Sequence, residues 1–123
     1  MSIRGHVGRM AIVPDEIAGA NITQDSARIA PRAGVEVAFL VGYLEAQATQ
    51  LEMKRLTKGV AVRGINLGDL KALHVPVPSP NAQKDFTTRF ERTREILSMQ
   101  SRATEAAAAA FESLLAGVFG EGA

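Results

Sequence analysis

The first candidate for chemistry is a set of two acids and a lysine. Asp15 follows a proline, and Glu52 and Lys54 lie on either side of Met53. Mg²⁺-dependent sites that cleave phosphodiesters use two acids and a lysine converging from adjacent strands. Glu52 and Lys54, however, fall near the end of a predicted helix, where residues two apart point in different directions. This set is therefore not expected to be catalytic.

The remaining residue types with chemical potential are few. His6 and His74 are the two histidines, and cysteine is absent, so a disulfide framework or a thiolate metal site is excluded. No His-x-x-x-His pair is present, and no serine lies beside a histidine or in a nucleophile elbow. The sequence thus predicts no catalytic residue, no metal site and no cofactor.

A short glycine-flanked segment, Gly5-His6-Val7-Gly8, has the pattern of a loop that clamps the backbone of nucleic acids in some RNA-binding domains. That loop joins two helices, whereas this one joins two predicted strands, which favours a tight turn. Basic residues cluster around it and around a second glycine, with Lys54, Arg55, Lys58 and Arg63 near Gly59. Residues 1–78 carry nine Lys and Arg against seven Asp and Glu, a balance that a solvated surface explains equally well.

Length and composition set the outer limits. The chain has 123 residues, 46% of them hydrophobic, with a formal charge of +1. This is room for one compact domain, and the net charge by itself indicates no polyanionic partner. No apolar run approaches the ~20 residues of a membrane span, and no secretory leader opens the sequence, so a cytoplasmic protein without membrane partners is expected.

Residues 1–78 predict alternating strands and helices. Helical periodicity runs from Val35 to about Leu56, and one or two helical turns are expected over residues 67–73. Short β-branched or alternating runs predict strands at residues 2–4, 9–13, 22–30, 60–63 and 74–77, the first two forming a hairpin. The predicted fold class is α/β or α+β.

Residues 79–123 form a second region dominated by one long helix. Ser79 is a good N-cap, Pro80 suits the first helical position, and Gly117 and Gly120 end the segment. A heptad stripe with spacing of four and three runs along it, comprising Phe86, Phe90, Thr93, Leu97, Gln100, Thr104, Ala107, Phe111, Leu114 and Val118. Such a stripe predicts a coiled coil with a second chain; the alternative is a helix packed along its own domain.

An ordered set of short segments carries a family resemblance. They are RGHVGR (4–9), GANITQD (19–25), FL and YL (39–40, 43–44), GINL (64–67), LK (70–71) and VPVP (75–78) followed by Gln83. Together they resemble the distal part of a target-recognition domain and the following long helix in the DNA-specificity (S) subunit of type I restriction–modification systems. Relatives carry Pro-Pro and then Glu-Gln at the helix start, whereas here Pro78 is followed by Ser79, Pro80 and Asn81.

The resemblance implies a non-catalytic subunit. The recognition domain would bind one half of a bipartite site in double-stranded DNA, and the helix would set the half-site spacing. That helix would also dock the methyltransferase (M) subunits and, through them, the restriction (R) subunit. Candidate DNA contacts are residues of loops and strand ends that can donate to bases or phosphates, namely Arg4, His6, Arg9, Asn21, Thr23, Gln24, Lys58, Arg63 and Asn66. For Asn21, Thr23 and Gln24, a purely structural role in the loop stays open.

A full S subunit has two recognition domains whose long helices pair antiparallel, whereas this chain resembles part of one domain and one helix. Two copies are therefore expected to pair through residues 80–119 as a symmetric dimer. The alternative is a truncated interaction module that dimerises or binds the methyltransferase without reading DNA.

Overall fold

The structure is a computed structural model that describes residues 1–61 and 63–120, and it divides into two compact units. Unit 1 is Met1–Thr87 and unit 2 is Thr88–Ala123. A short 3₁₀ turn at Asp15–Ile17 is followed by the helices α1 (Val37–Glu45), α2 (Gln47–Leu56), α3 (Leu67–Ala72) and α4 (Pro80–Phe119). The boundary predicted between residues 78 and 79 marks the start of α4, which belongs to unit 1 for its first two turns.

The predicted strands are the main correction. In place of strands, the described residues form isolated antiparallel bridges that pair Ser2 with Ser26 and Gly64 with both Arg4 and Lys58. Four short backbone segments are therefore joined by single pairs of residues, and no continuous ladder of hydrogen bonds forms between them. The α/β class is not confirmed, because β-branched composition favours a strand only where a neighbouring segment pairs over several residues.

Each remaining strand prediction fails for a local reason. Over residues 9–13 the pairing stops after Ser2 donates to the Arg9 carbonyl, at 2.9 Å. Within residues 22–30, a turn closed by Ser26 N–H on the Thr23 carbonyl, at 3.1 Å, interrupts the run. In the predicted strand 60–63, residues 60, 61 and 63 form no strand and Val60 is fully exposed, while residue 62 lies outside the described residues. Residues 74–77 include Pro76 and are followed by Pro78, both without an N–H donor, and they form no bridge.

Gly64 lies at the centre of the bridged segments. It exchanges backbone hydrogen bonds with Lys58 at 2.8 and 2.9 Å, while its neighbour Ile65 donates to the Ile3 carbonyl at 3.0 Å. A Cβ on Gly64 would lie 3.2 Å from that same carbonyl oxygen. Glycine therefore permits the close approach of two backbone neighbours at this position.

The single helix predicted over residues 35–56 is divided in two. Ala46 adopts an extended conformation, with φ −59° and ψ 140°, and separates α1 from α2. The Gln50 side chain donates to the Leu44 carbonyl at 2.7 Å, which satisfies a group that the break leaves without a helical partner. No glycine or proline marks the break, so the sequence offers no local signal for it.

The core of unit 1 is small and joins residues distant in sequence. Ile3, Ala27, Met53 and Ile65 form its buried cluster, so one helix packs against three of the bridged segments. Met53, from α2, is the most buried of the four, at 1% exposure. Because these segments depend on one another for burial, none is expected to keep its position alone.

Buried Gln83, in the second turn of α4, connects that helix to the segment before α1. Its Oε1 accepts the Glu36 N–H at 2.9 Å, and its Nε2 donates to the carbonyls of Gly34 and Pro78, both at 3.0 Å. Gln83 is 1% exposed, so these bonds replace those that water would otherwise supply. Nearby, Phe86 packs edge-on against Phe39 of α1, with ring centroids 5.7 Å apart.

The long helix is confirmed with the predicted start. Ser79 Oγ accepts the Ala82 N–H at 3.4 Å, and Pro80 is the first helical residue. Forty residues at 1.5 Å each give a helix of about 60 Å. Among the helices of the described residues, α4 included, none combines the length and apolar character that crossing a membrane requires.

Candidate nucleic-acid interface

A basic cleft on unit 1 brings together His6, Lys54 and Arg63 from three separate parts of the chain. Its volume is about 480 Å³. The residues that line this basic cleft are Gly5, His6, Val7, Lys54, Thr57, Gly59 and Arg63. No carboxylate is among them, and their charged side chains are Lys54 and Arg63. The cleft therefore offers cations and N–H donors to an anion.

Backbone hydrogen bonds fix one wall of the cleft. Gly5 N–H donates to the Arg63 carbonyl at 2.9 Å, and Gly8 N–H donates to the Ser2 carbonyl at 3.0 Å. Both glycines have positive φ, 68° and 92°, which a residue with a side chain adopts at a cost. The glycine-flanked segment is thus a tight turn, as its sequence context favours, and the turn carries His6.

Two exposed ion pairs involve the bridged residues on either side of Gly64. Arg4 Nη1 lies 3.7 Å from Asp25 Oδ1, and Lys58 Nζ lies 3.8 Å from Asp69 Oδ2. Pairs this exposed contribute little to stability, and water and salt screen them strongly. Their cations can therefore exchange a carboxylate for another anion at small cost.

The other predicted DNA contacts lie outside the cleft lining. Asn21, Thr23 and Gln24 are exposed, and Thr23 closes the turn that contains Asp25. Arg9 is also exposed, and its backbone carbonyl accepts from Ser2. The structure thus brings His6 and Arg63 together and leaves these four residues at separate surface positions.

Asn66 has a structural role at the start of α3. Its Oδ1 accepts the Asp69 N–H at 2.8 Å, and its Nδ2 donates to the Asp69 carboxylate at 2.6 Å. The first bond is that of a helix N-cap, and the second joins the two side chains. Because both the oxygen and the nitrogen of this amide are hydrogen-bonded within the chain, Asn66 has less capacity to contact a base than an amide without such bonds.

Lys54 is the charged residue of the cleft that the predicted set of contacts omits. It lies in the last turn of α2, where cations complement the partial negative charge of the helix C-terminus. The sequence signal that could have identified Lys54 is its membership of the basic cluster around Gly59. Only the packing of α2 against the bridged segments puts it opposite the turn with His6.

The acids and the lysine that the sequence singles out do not lie on adjacent strands. Residues 1–61 and 63–120 contain no group of three or more His, Asp or Glu side chains placed to hold a metal ion. Asp15 lies in the 3₁₀ turn, whereas Glu52 and Lys54 both lie on α2. The arrangement seen in unit 1 is suited to holding an anion.

Some residues of the heptad stripe of α4 make contacts within the chain. Phe86 packs on Phe39, and the Arg94 guanidinium lies 5.6 Å from the centroid of the Phe90 ring. Thr93 and Thr104 donate to the carbonyls four residues earlier, at 2.8 and 3.0 Å. The stripe residues Leu97, Phe111, Leu114 and Val118 are 58% to 73% exposed.

Comparison with known proteins gives the family. The model of the type I restriction modification DNA specificity domain matches residues 1–103. The type I restriction enzyme EcoBI specificity subunit of Escherichia coli is 36% identical over 93 residues, which cover 75% of this chain and 19% of that protein. The chain thus spans about a fifth of the length of this relative. No solved structure matches the chain significantly. Since the match extends over most of its residues, the chain belongs to the family of DNA-specificity domains of type I restriction–modification systems.

Proposed function

We propose that this chain is a non-catalytic DNA-recognition subunit, or half-subunit, of a type I restriction–modification system, and that its basic cleft binds the DNA backbone. The observation that supports this most is the convergence of His6, Lys54 and Arg63 in one cleft without a carboxylate in its lining. Phosphate contacts from such residues supply affinity and fix the register of a protein on the duplex.

Base reading is assigned to exposed polar residues that lie outside the cleft lining. Asn21, Thr23 and Gln24 offer amide and hydroxyl groups, and Asn or Gln is suited to the major-groove edge of adenine. Asp25 of the same turn is paired with Arg4, which links this loop to the bridged segment that leads into the cleft. One such surface would read one half of a bipartite target.

We assign α4 to assembly. Its exposed stripe would pair with the α4 of a second copy, and the helix would dock the methyltransferase subunits and, through them, the restriction subunit. The charges favour an antiparallel pair, because no Lys or Arg follows Arg102, whereas Glu105 and Glu112 lie beyond it. An antiparallel arrangement places this acidic half beside the half that carries Arg89, Arg92 and Arg94.

The DNA proposal is tested by neutralising one cation inside the cleft and one outside it. Arg63→Ala is expected to weaken binding to duplex DNA, measured by fluorescence anisotropy with the methyltransferase subunits present. It should also reduce the slope of log K against log salt by about 0.9, the value for one lost phosphate contact. Arg28→Ala is the matched control, because Arg28 is exposed and lines a different, apolar groove. Equal effects of the two substitutions would remove the cleft from the interface.

The assembly proposal is tested by sedimentation over a range of concentrations. Leu114→Glu, on the stripe, is expected to shift a dimer towards monomer, because it introduces a charge into an apolar seam. Ser113→Glu is the control at the neighbouring position, off the stripe, and should leave the dimer intact. A wild-type chain that stays monomeric at tens of micromolar would contradict the homodimer. A dimer that selects no sequence from random DNA would favour the interaction module that does not read DNA.

A further inference from the structure

Gln50 is a partly buried residue of α2 that contacts the turn on the wall of the basic cleft. Its Nε2 donates to the Gly8 carbonyl at 3.1 Å and to the Leu44 carbonyl at 2.7 Å. One amide therefore connects the break between α1 and α2 to the turn that carries His6. The residues it joins are six and 42 positions away in sequence.

Gln50 and Gly8 are in close contact. A Cβ on Gly8 would lie 2.5 Å from Gln50 Oε1, so the glycine leaves the space that the amide occupies. Gly8 also has a φ of 92°, a conformation that glycine adopts readily. The end of the turn at Gly8 is thus held at two points, since its N–H donates to Ser2 and its carbonyl accepts from Gln50.

We propose that Gln50 is a positioning residue of the basic cleft: it holds the turn of residues 5–8 in the shape that presents His6 to a DNA phosphate. This inference rests on the proposed function of the cleft. Gln50 does not line the cleft itself, so its effect on DNA is transmitted through the turn. Without the amide donor, Gly8 loses the bond to its carbonyl and keeps only the bond from its N–H to Ser2, so the turn samples other shapes.

The test substitutes Gln50→Met, which keeps the length of the side chain and removes its donors. We expect DNA binding to weaken about two- to tenfold, the change that one or two lost hydrogen bonds produce. Gln47→Met is the matched control, because Gln47 is exposed on the same helix. Fluorescence of Tyr43 in α1 checks that each variant remains folded. Gly8→Ala, which disturbs the same contact from the other side, is the second variant.

A double-mutant cycle separates positioning from a general loss of structure. His6→Ala should cost less binding in the Gln50→Met background than in the wild type, because a displaced turn no longer presents His6. Arg63→Ala should cost the same in both backgrounds, since the hydrogen bond that joins Arg63 to the turn uses its backbone carbonyl, which the substitution leaves in place. Additive losses for His6 would overturn the inference.

Amide hydrogen exchange gives a measurement that does not depend on DNA. Gln50→Met should raise the exchange rate of the Gly8 N–H, which donates to Ser2, and leave that of Ile65 unchanged. An unchanged Gly8 rate would overturn the positioning role whatever the DNA results. If Arg63→Ala does not affect binding while Gly8 exchange rises, the proposed function of the cleft fails, and Gln50 is left with a structural role only.

Discussion

In unit 1, Gln50 and Gln83 each make a side-chain hydrogen bond to a residue five or six positions away and also to residues 42 to 49 positions away. In unit 2, the side-chain bonds of Thr93, Ser101 and Thr104 reach residues four positions away. The first pattern depends on the whole fold, and the second is available to any helix. The comparison teaches that the cleft can be lost through changes far from it, while the long helix tolerates substitution as long as its periodicity is kept.

The largest expected difference compares two methionines. Met53→Ala in the core of unit 1, where Met53 is 1% exposed, should lower the free energy of unfolding by about 2–5 kcal/mol. Met99→Ala in unit 2, where Met99 is 58% exposed, should change it by about 0.5 kcal/mol or less. Urea unfolding followed by Tyr43 fluorescence measures the first effect, and far-UV circular dichroism measures the helix. Similar losses for the two variants would contradict the comparison.

A smaller effect is expected from two glutamines on the same helix. Gln83→Met leaves the Glu36 N–H and the carbonyls of Gly34 and Pro78 without their partner, and should cost about 2–3 kcal/mol. Gln100→Met, at a stripe position that is exposed within the single chain, should cost about 0.5 kcal/mol or less when measured at concentrations where the chain is monomeric. The midpoint of urea unfolding reports both. A neutral Gln83→Met would show that α4 does not depend on its contact with the segment before α1.

The two helix caps provide a finer comparison. Asn66→Ala removes a cap with a bond of 2.8 Å from the short helix α3, and should cost about 1 kcal/mol. Ser79→Ala removes a longer contact of 3.4 Å from the 40-residue helix α4, so a loss of about 0.5 kcal/mol is expected. Thermal unfolding of the two variants in parallel shows which substitution lowers the stability more. A larger loss of stability for Ser79→Ala than for Asn66→Ala would contradict this prediction.

The smallest effect concerns the ion pair between Arg4 and Asp25. Both side chains are more than half exposed, so a double-mutant cycle with Arg4→Ala and Asp25→Ala should give a coupling of about 0.5 kcal/mol or less. Added salt should reduce it further. Coupling above about 1 kcal/mol would mean that the pair helps to hold the bridged segments. Its cation would then exchange less readily with a phosphate.

The long helix and the family were predictable because their signals are local or ordered along the chain. Ser79 and Pro80 define the start of α4, and the heptad spacing defines its course. The strand predictions for residues 2–4, 9–13, 22–30, 60–63 and 74–77 failed in part, since isolated bridges took their place. Whether a β-branched run becomes a strand depends on the neighbour it meets, which the run itself does not encode.

The candidate site divides in the same way. Sequence alone put His6 and Arg63 among cations that could meet DNA, and placed the glycine-flanked segment in a tight turn. The break at Ala46, the contact of Gln50 with Gly8 and the position of Lys54 in the cleft came only from the tertiary structure. Local preferences depend on a few consecutive residues, whereas these contacts depend on which distant segments share a buried core, one cluster of which is formed by Ile3, Ala27, Met53 and Ile65.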